Sequence, residues 1–186
     1  MKDLERIIKD CINGRDKSRE LLYRTFAPKM FGVCLQYSRD YTEAEDTLQD
    51  GFIKVFQNIK SYGFNGSFEG WIRRIMVNTA LEKYRKNRKL YMVDQVDDVV
   101  DDSEDLGTPQ IPMDLLLKMV QELPDRYRMV FNLYVMDGYT HQQISREMGI
   151  SDGTSKSNLA RARMILKKKV KEYIGSQENN KTLTVC

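Results

Sequence analysis

Apolar residues recur along most of this chain at spacings of three and four, the period of an α-helix with one buried face. Between residues 20 and 38 that period is carried by Leu21, Leu22, Phe26, Met30, Phe31, Val33, Cys34 and Tyr37. The next stretch, 42–62, opens with Thr42 as the expected N-cap and Glu45 three residues on, a capping-box arrangement. Its stripe runs Leu48, Phe52, Val55, Phe56, Ile59. "GFNGS" at 63–67 then breaks the pattern with two glycines and an asparagine, and a further helix is expected from Phe68. Strand-like alternation is weak, so the N-terminal half reads as three or four packed helices.

The C-terminal third repeats the theme in shorter pieces. "MDLLLKMVQEL" from Met113 is one helix, and Pro124 is expected to open the next at a position that tolerates proline. Gly138 closes it, and Thr140 caps a short helix through "HQQISREM". A three-residue turn, Gly149-Ile150-Ser151, leads to a last helix with Ser151 or Asp152 as its N-cap. Helix, glycine turn, basic helix is the helix-turn-helix pattern. The expected fold is all-α, with two small helical domains at 1–93 and 113–175, a linker at 94–112 and a tail at 176–186.

Charge adds what periodicity cannot. The 186 residues have a net charge of only +3, but it is laid out in blocks. Residues 1–93 carry 18 Lys/Arg against 12 Asp/Glu, residues 94–112 carry seven acids and no base, and residues 113–186 carry 12 bases against 8 acids. Two basic modules flanking an acidic connector suit a polyanion partner. The connector itself reads as a solvated charge run, with a nucleic-acid-mimicking role left open. It has no glycine turn that would fix its aspartates as metal ligands.

Cys11, Cys34 and Cys186 have neither zinc-site nor disulfide spacing. Cys11 and Cys34 sit among apolar residues as core fillers. The charged start "MKDLERIIKD" is unlike a secretion signal, and no apolar run approaches the roughly 18–20 residues of a membrane span. A cytoplasmic protein without membrane insertion is expected.

The last helix carries Lys156, Arg161, Arg163, Lys167, Lys168, Lys169 and Lys171 with no acid from 153 to 171. Such a run favours phosphate contact. Its first turns hold Thr154, Ser155, Lys156, Ser157 and Asn158, short groups able to reach base edges in a major groove. A second basic segment, 71–89, has seven bases against Glu82 alone and follows the aromatics Tyr62, Phe64, Phe68 and Trp71. Rings beside cations suit an unstacked single strand. Phe68 and Trp71 could instead be core aromatics at a helix start, and Trp71 alone reads equally either way, but the loop and helix together favour nucleic-acid contact.

"AEDTLQDGFIKVF", "GSFEGWIRRIMVNTALEKYRKNR", "LPDRYRMVFNLYVMDGYTHQQISREMGIS" and "DGTSKSNLARARMIL" together resemble the extracytoplasmic-function (ECF) group of bacterial sigma factors, over about residues 5–90 and 113–172. The resemblance implies that 1–93 binds the −10 element and the polymerase clamp, and that 113–175 binds the −35 element and the flap. The partners it implies are core RNA polymerase (its beta and beta-prime subunits), promoter DNA and an anti-sigma factor, with no cofactor or metal. By position, the clamp-binding helix matches 43–57, with Glu45, Asp46, Gln49, Asp50 and Lys54 as polymerase contacts; from the residues alone these read as a solvated face. The −10 loop matches Ser61–Phe68, so the implied −10 set is Tyr62, Phe64, Asn65, Ser67, Phe68 and Trp71, with Arg74, Asn78 and Arg85 on the following helix. The implied −35 set is Thr154, Lys156, Ser157, Asn158, Ala160, Arg161 and Arg163, where Ala160 offers only a methyl-sized contact. The family usually has Ala where Ser145 stands and a buried Val where Ser155 stands. The second change bears on how the recognition helix packs and on its angle in the groove. The lone His141 falls on the first helix of the motif, in a surface or capping role.

No phosphate-cradling Gly-Lys loop, H-E-x-x-H or nucleophile elbow is present, so no catalytic residue is expected. The alternative is a stand-alone helix-turn-helix regulator on duplex operator DNA, which would have no use for the "GFNGSFEGW" loop.

Overall fold

In a computed structural model of the chain, the backbone is described for residues 2–88 and 111–183, and the side chains for 3–86 and 111–176. The acidic connector, apart from Ile111 and Pro112, and Cys186 lie outside those residues. The described residues contain helices and no strand, and the chain separates into two compact units, Met1–Leu90 and Tyr91–Cys186.

The N-terminal unit is built from α1 (Lys2–Ile12), α2 (Asp16–Tyr37), α3 (Tyr41–Asn58), a 3₁₀ turn (Ile59–Ser61) and α4 (Phe68–Arg88). Helices α2, α3 and α4 pack against one another, and α1 lies on α2. The period-3.6 stripe is the reason: Leu22, Phe26, Met30, Val33, Cys34 and Tyr37 of α2 are buried with Leu48, Phe52 and Val55 of α3. From α4 come Ile72, Met76, Val77 and Leu81. Leu21, read as part of the same stripe, is instead 49% exposed, because it falls just off the buried face. Gly51 leaves room on α3 for the Met76 side chain of α4, whose sulfur a Cβ there would overlap. Two ion pairs tie the same helices at their rims, Lys54 to Glu82 at 2.5 Å and Lys83 to Asp50 at 2.8 Å.

The cap of α3 is not Thr42. Asp40 holds that position and accepts from the Glu43 N–H at 2.8 Å, while Glu43 Oε2 accepts from the Arg39 N–H at 2.7 Å. Asp and Thr are both strong caps, and the apolar period alone does not choose between sites two residues apart.

Cys11 and Cys34 are free and each 1% exposed. Burial pushes the Cys34 thiol up to about 12, against the pull of Lys83. The thiolate is the reactive form, so Cys34 is expected to resist iodoacetamide at pH 8 in the native protein and to react once denatured. Mass spectrometry of the alkylated chain reads this directly, and rapid native labelling would contradict the packing.

The C-terminal unit comprises α5 (Met113–Gln121), α6 (Asp125–Phe131), a π-helical turn (Asn132–Met136), α7 (His141–Met148) and α8 (Asp152–Leu183). Leu123, Tyr127 and Ala162 are buried together, with Phe131, Ile165 and Leu166 packed around them. Pro124 is the N-cap of α6, so the helix begins at Asp125, one residue later than expected. The helix then widens into the π turn, marked by the Asp137 N–H donating to the Asn132 carbonyl at 3.1 Å. Helix α8 continues past residue 175, where a tail was expected, to Leu183.

Arg128 is the electrostatic centre of this unit. It is 2% exposed; its Nη1 donates to the carbonyls of Gln121 and Leu123 at 2.9 and 2.8 Å, and its Nη2 meets Asp125 Oδ1 at 2.8 Å. One guanidinium therefore fastens the end of α5 to the start of α6.

Candidate nucleic-acid and polymerase interfaces

Helices α7 and α8 form the helix-turn-helix. Thr140 caps α7 in a full capping box with Gln143. Gly149, at φ 64, supplies the left-handed residue that ends it. Ser151 caps α8: its Oγ accepts from the Thr154 N–H at 3.0 Å and also bonds Thr154 Oγ1 at 2.8 Å.

Of the residues expected at the −35 face, Lys156 and Arg163 are exposed and Thr154, Ser157 and Ala160 are half-buried. Lys156, Ala160 and Arg163, at spacings of four and three, share one face of α8. Asn158 and Arg161 lie inward, at 4% and 5% exposure. Arg161 Nη1 donates to the Tyr127 hydroxyl at 3.3 Å, and the same hydroxyl accepts from Arg126 Nη2 at 2.9 Å. Basic composition marks a helix as DNA-facing without saying which cations turn inward.

Two polar contacts cross between α7 and α8. Ser145 Oγ donates to Asp152 Oδ1 at 2.6 Å, and His141 Nδ1 lies 2.9 Å from the Oγ of Ser155, which is wholly buried. The His141 ring stacks on Tyr134 at 4.7 Å, and the Arg163 guanidinium stands 5.9 Å from the same tyrosine ring. Burial, then the nearby Lys156, and after the opposing pull of Asp152 also Arg163, hold the His141 imidazole below its usual range. A folded-state value below the unfolded one stabilises above the unfolded pKa, and that contribution is lost as pH falls through the folded value. The melting temperature of the wild-type chain should therefore drop more between pH 7.5 and 5.5 than that of His141→Gln; equal drops would contradict it.

The aromatic loop of the N-terminal unit divides into an inner and an outer set. Tyr62 and Phe68 are 8% and 3% exposed and pack edge-on at 4.9 Å, and Phe68 stacks on the half-buried Trp71 at 5.5 Å. The Tyr62 hydroxyl donates to the Gly66 carbonyl at 2.7 Å, tying the loop across its base. Outward stand Phe64 (40% exposed), Asn65 and Ser67. Phe64 adopts a left-handed φ of 55, unusual for a bulky side chain. Lys9 Nζ lies 5.8 Å from its ring. That contact joins α1 to the loop across more than fifty residues, and no local pattern signals it. On α4, Arg74 and Arg85 are exposed and Asn78 is half-buried.

On α3, Glu45, Asp46, Gln49 and Asp50 are exposed on one side, and Lys54 is half-buried in its pair with Glu82. No group of His, Cys, Asp or Glu able to hold a metal ion occurs among the described residues. No helix there is long and apolar enough to cross a membrane.

Two helical units, one a helix-turn-helix with a basic outer face and one presenting an aromatic loop ahead of a basic helix, have the features of a DNA-binding protein with two separate modules. Family models match both units: sigma-70 region 2 matches residues 22–90 and sigma-70 region 4 matches residues 113–166. The chain belongs to the sigma-70 family, in its ECF group, and is an RNA polymerase sigma factor rather than a stand-alone helix-turn-helix regulator. It is similar to the ECF RNA polymerase sigma factor SigW of Bacillus subtilis (strain 168), 25% identical over 182 residues, covering 91% of this chain and 97% of that protein. The ECF RNA polymerase sigma factor SigM of the same organism is 27% identical over 149 residues, covering 78% and 91%. In fold, the chain resembles the sigma factor RpoE of Bartonella quintana, crystallised with the anti-sigma factor NepR, with a TM-score of 0.50 at 22% identity over 84% of this chain and 98% of that one.

Proposed function

We propose that this chain directs promoter-specific initiation in the cytoplasm, without enzymatic activity of its own, by docking on core RNA polymerase through the polar face of α3 and through the C-terminal unit. Helix α8 anchors the −35 duplex while the Ser61–Phe68 loop captures an unstacked −10 base. The observation that carries this reading is the occurrence of regions 2 and 4, in that order, on separately packed units.

At the −35 element, Lys156 and Arg163 contact phosphate or base edges, flanked by Thr154, Ser157 and the small Ala160. Asn158 and Arg161 brace the helix from behind, and Arg161 reaches DNA only by leaving the Tyr127 hydroxyl. At the −10 element, Phe64, Asn65 and Ser67 meet the base, Tyr62, Phe68 and Trp71 form the platform beneath, and Arg74, Asn78 and Arg85 hold the strand. Glu45, Asp46, Gln49 and Asp50 face the polymerase, with Lys54 steadying α3 on α4. An anti-sigma factor is a further partner, as it is for the Bartonella protein of like fold.

Run-off transcription with purified core polymerase on genomic fragments tests the reading. Discrete transcripts that require the chain, and that disappear on Asn78→Ala and on the double change Lys156→Ala, Arg163→Ala, are expected. Salt-sensitive duplex binding without any transcript would overturn it. On a promoter so recovered, each of Lys156→Ala and Arg163→Ala is expected to lower the slope of log affinity against log salt by about 1. An unchanged slope would remove that residue from the phosphate contacts.

A further inference from the structure

The helix-turn-helix of this chain is closed by hydrogen bonds at places where apolar packing would serve. Ser155 is 0% exposed, and a hydroxyl at such a site is costly unless partnered. Its partner is His141 Nδ1 at 2.9 Å, from the first residue of the other helix of the motif. The imidazole is held in turn by its stack on Tyr134, at 4.7 Å between centroids and 23° between planes. The same tyrosine ring lies 5.9 Å from the guanidinium of Arg163, an exposed cation of the outer face of α8. Ser155 and Lys156 are neighbours in sequence, so the buried end of the hydrogen bond and an outward cation share one turn of helix.

Apolar contact is non-directional and lets two helices slide or roll on each other at little cost. A hydrogen bond fixes both distance and angle. Helices α7 and α8 are joined by only three residues, so the remaining freedom between them is a small rotation, and a bond between their facing sides removes it. The Ser145–Asp152 bond, near the turn, acts on the same pair of helices.

We propose that His141 and Ser155 are a positioning pair: their hydrogen bond sets the pose of α8 on α7 and, through Tyr134, the direction in which Arg163 is presented, so that −35 affinity depends on a bond neither residue makes to DNA. The proposal rests on the sigma-factor reading for its DNA site. The groups facing the imidazole are Tyr134 from the π turn and Asp152, Ser155, Lys156 and Arg163 from α8. None of these needs to be lost for the bond to be tested.

The chain contains one histidine, so ¹⁵N-histidine labelling of the full-length protein gives a single imidazole to observe. Ser155→Ala removes the hydroxyl without adding volume, and Ser155→Thr keeps it. Expected on Ser155→Ala are a shift of the Nδ1 and Nε2 resonances at pH 7.5, a melting temperature within a few degrees of wild type, and binding of a run-off-mapped promoter by the reconstituted holoenzyme about 3- to 10-fold weaker. His141→Ala should weaken binding by a similar factor, and the double variant no further than either single change. Ser155→Thr should retain both the resonances and the affinity. Losses that multiply in the double variant, or imidazole resonances indifferent to Ser155→Ala, would overturn the pair. So would a Ser155→Thr protein with wild-type resonances and lost affinity. A wild-type chain that yields no transcript with core polymerase fails the sigma reading itself; a promoter bound equally well by every variant fails only the positioning pair.

Discussion

Arg128→Ala is expected to unfold much of the C-terminal unit while leaving the N-terminal unit folded. The guanidinium is 2% exposed and makes two bonds to carbonyls and one to a carboxylate. Its removal strips a charged donor from the α5–α6 junction and leaves Asp125 beside it without that cation. Taking the charged donor from a buried carbonyl costs about 1–3 kcal/mol, and here two carbonyls lose it. A domain of this size is stable by only about 0.05–0.15 kcal/mol per residue, so the loss is comparable with the whole. The melting temperature of the unit should fall by about 8 °C or more, since each kcal/mol is worth roughly 4–8 °C at this length. Far-UV circular dichroism measures it. The single tryptophan, Trp71, supplies the control, because its fluorescence reports the other unit. Asp125→Asn should cost far less, the carboxylate being 34% exposed. A shift of only a few degrees for Arg128→Ala would show that the junction is held by apolar contact alone.

Phe64→Ala is expected to carry a large functional effect at little structural cost. The ring is 40% exposed, at the apex of a loop whose base is already closed by Tyr62, Phe68 and Trp71. Removing it opens no core cavity. Stacking of a base on an aromatic side chain is worth about 1–3 kcal/mol, so open-complex formation should fall between about 5-fold and 150-fold on a run-off-mapped promoter. Association with core polymerase and binding of an isolated −35 duplex should be unchanged. Permanganate reactivity of unpaired thymines reads the opening step separately from the other two. If all three measurements fell together, Phe64 would be a folding residue and the capture site would have to lie elsewhere.

Much of this was legible in the sequence, for a reason that also marks its limit. Helix existence follows from a local period, and the buried faces of α2 and α3 fall largely on the apolar residues that period picks out, with Leu21 exposed and Phe31 and Phe56 half-buried. The helix-turn-helix was readable from Thr140, Gly149 and Ser151, whose capping chemistry acts within a few residues. What escaped depends on partners far apart in sequence or on choices between near-equal local options. Asp40 displaced Thr42 as a cap because two good caps lay two residues apart. The π turn after Phe131 leaves no mark in the apolar period. Charge counting assigned Arg161 to the same role as Arg163, although a phenol hydroxyl 34 residues away holds it inside. Ser155 was legible as a departure from the family's pattern, but its answer, His141, required the fold.

The tie from the Tyr62 hydroxyl to the Gly66 carbonyl has a kinetic consequence. A loop that must order itself around its ligand binds only in the fraction of time it holds the competent shape, and its apparent affinity falls by that fraction. Here the platform residues are packed before any DNA arrives, and a phenol spans the hairpin of chain that carries Phe64, Asn65 and Ser67. On the −10 role proposed for this loop, the receptor is set in advance, and the waiting time for opening belongs to the duplex. Promoters with weakly stacked −10 steps should then be served fastest, with the protein contributing a constant rather than a variable to the rate.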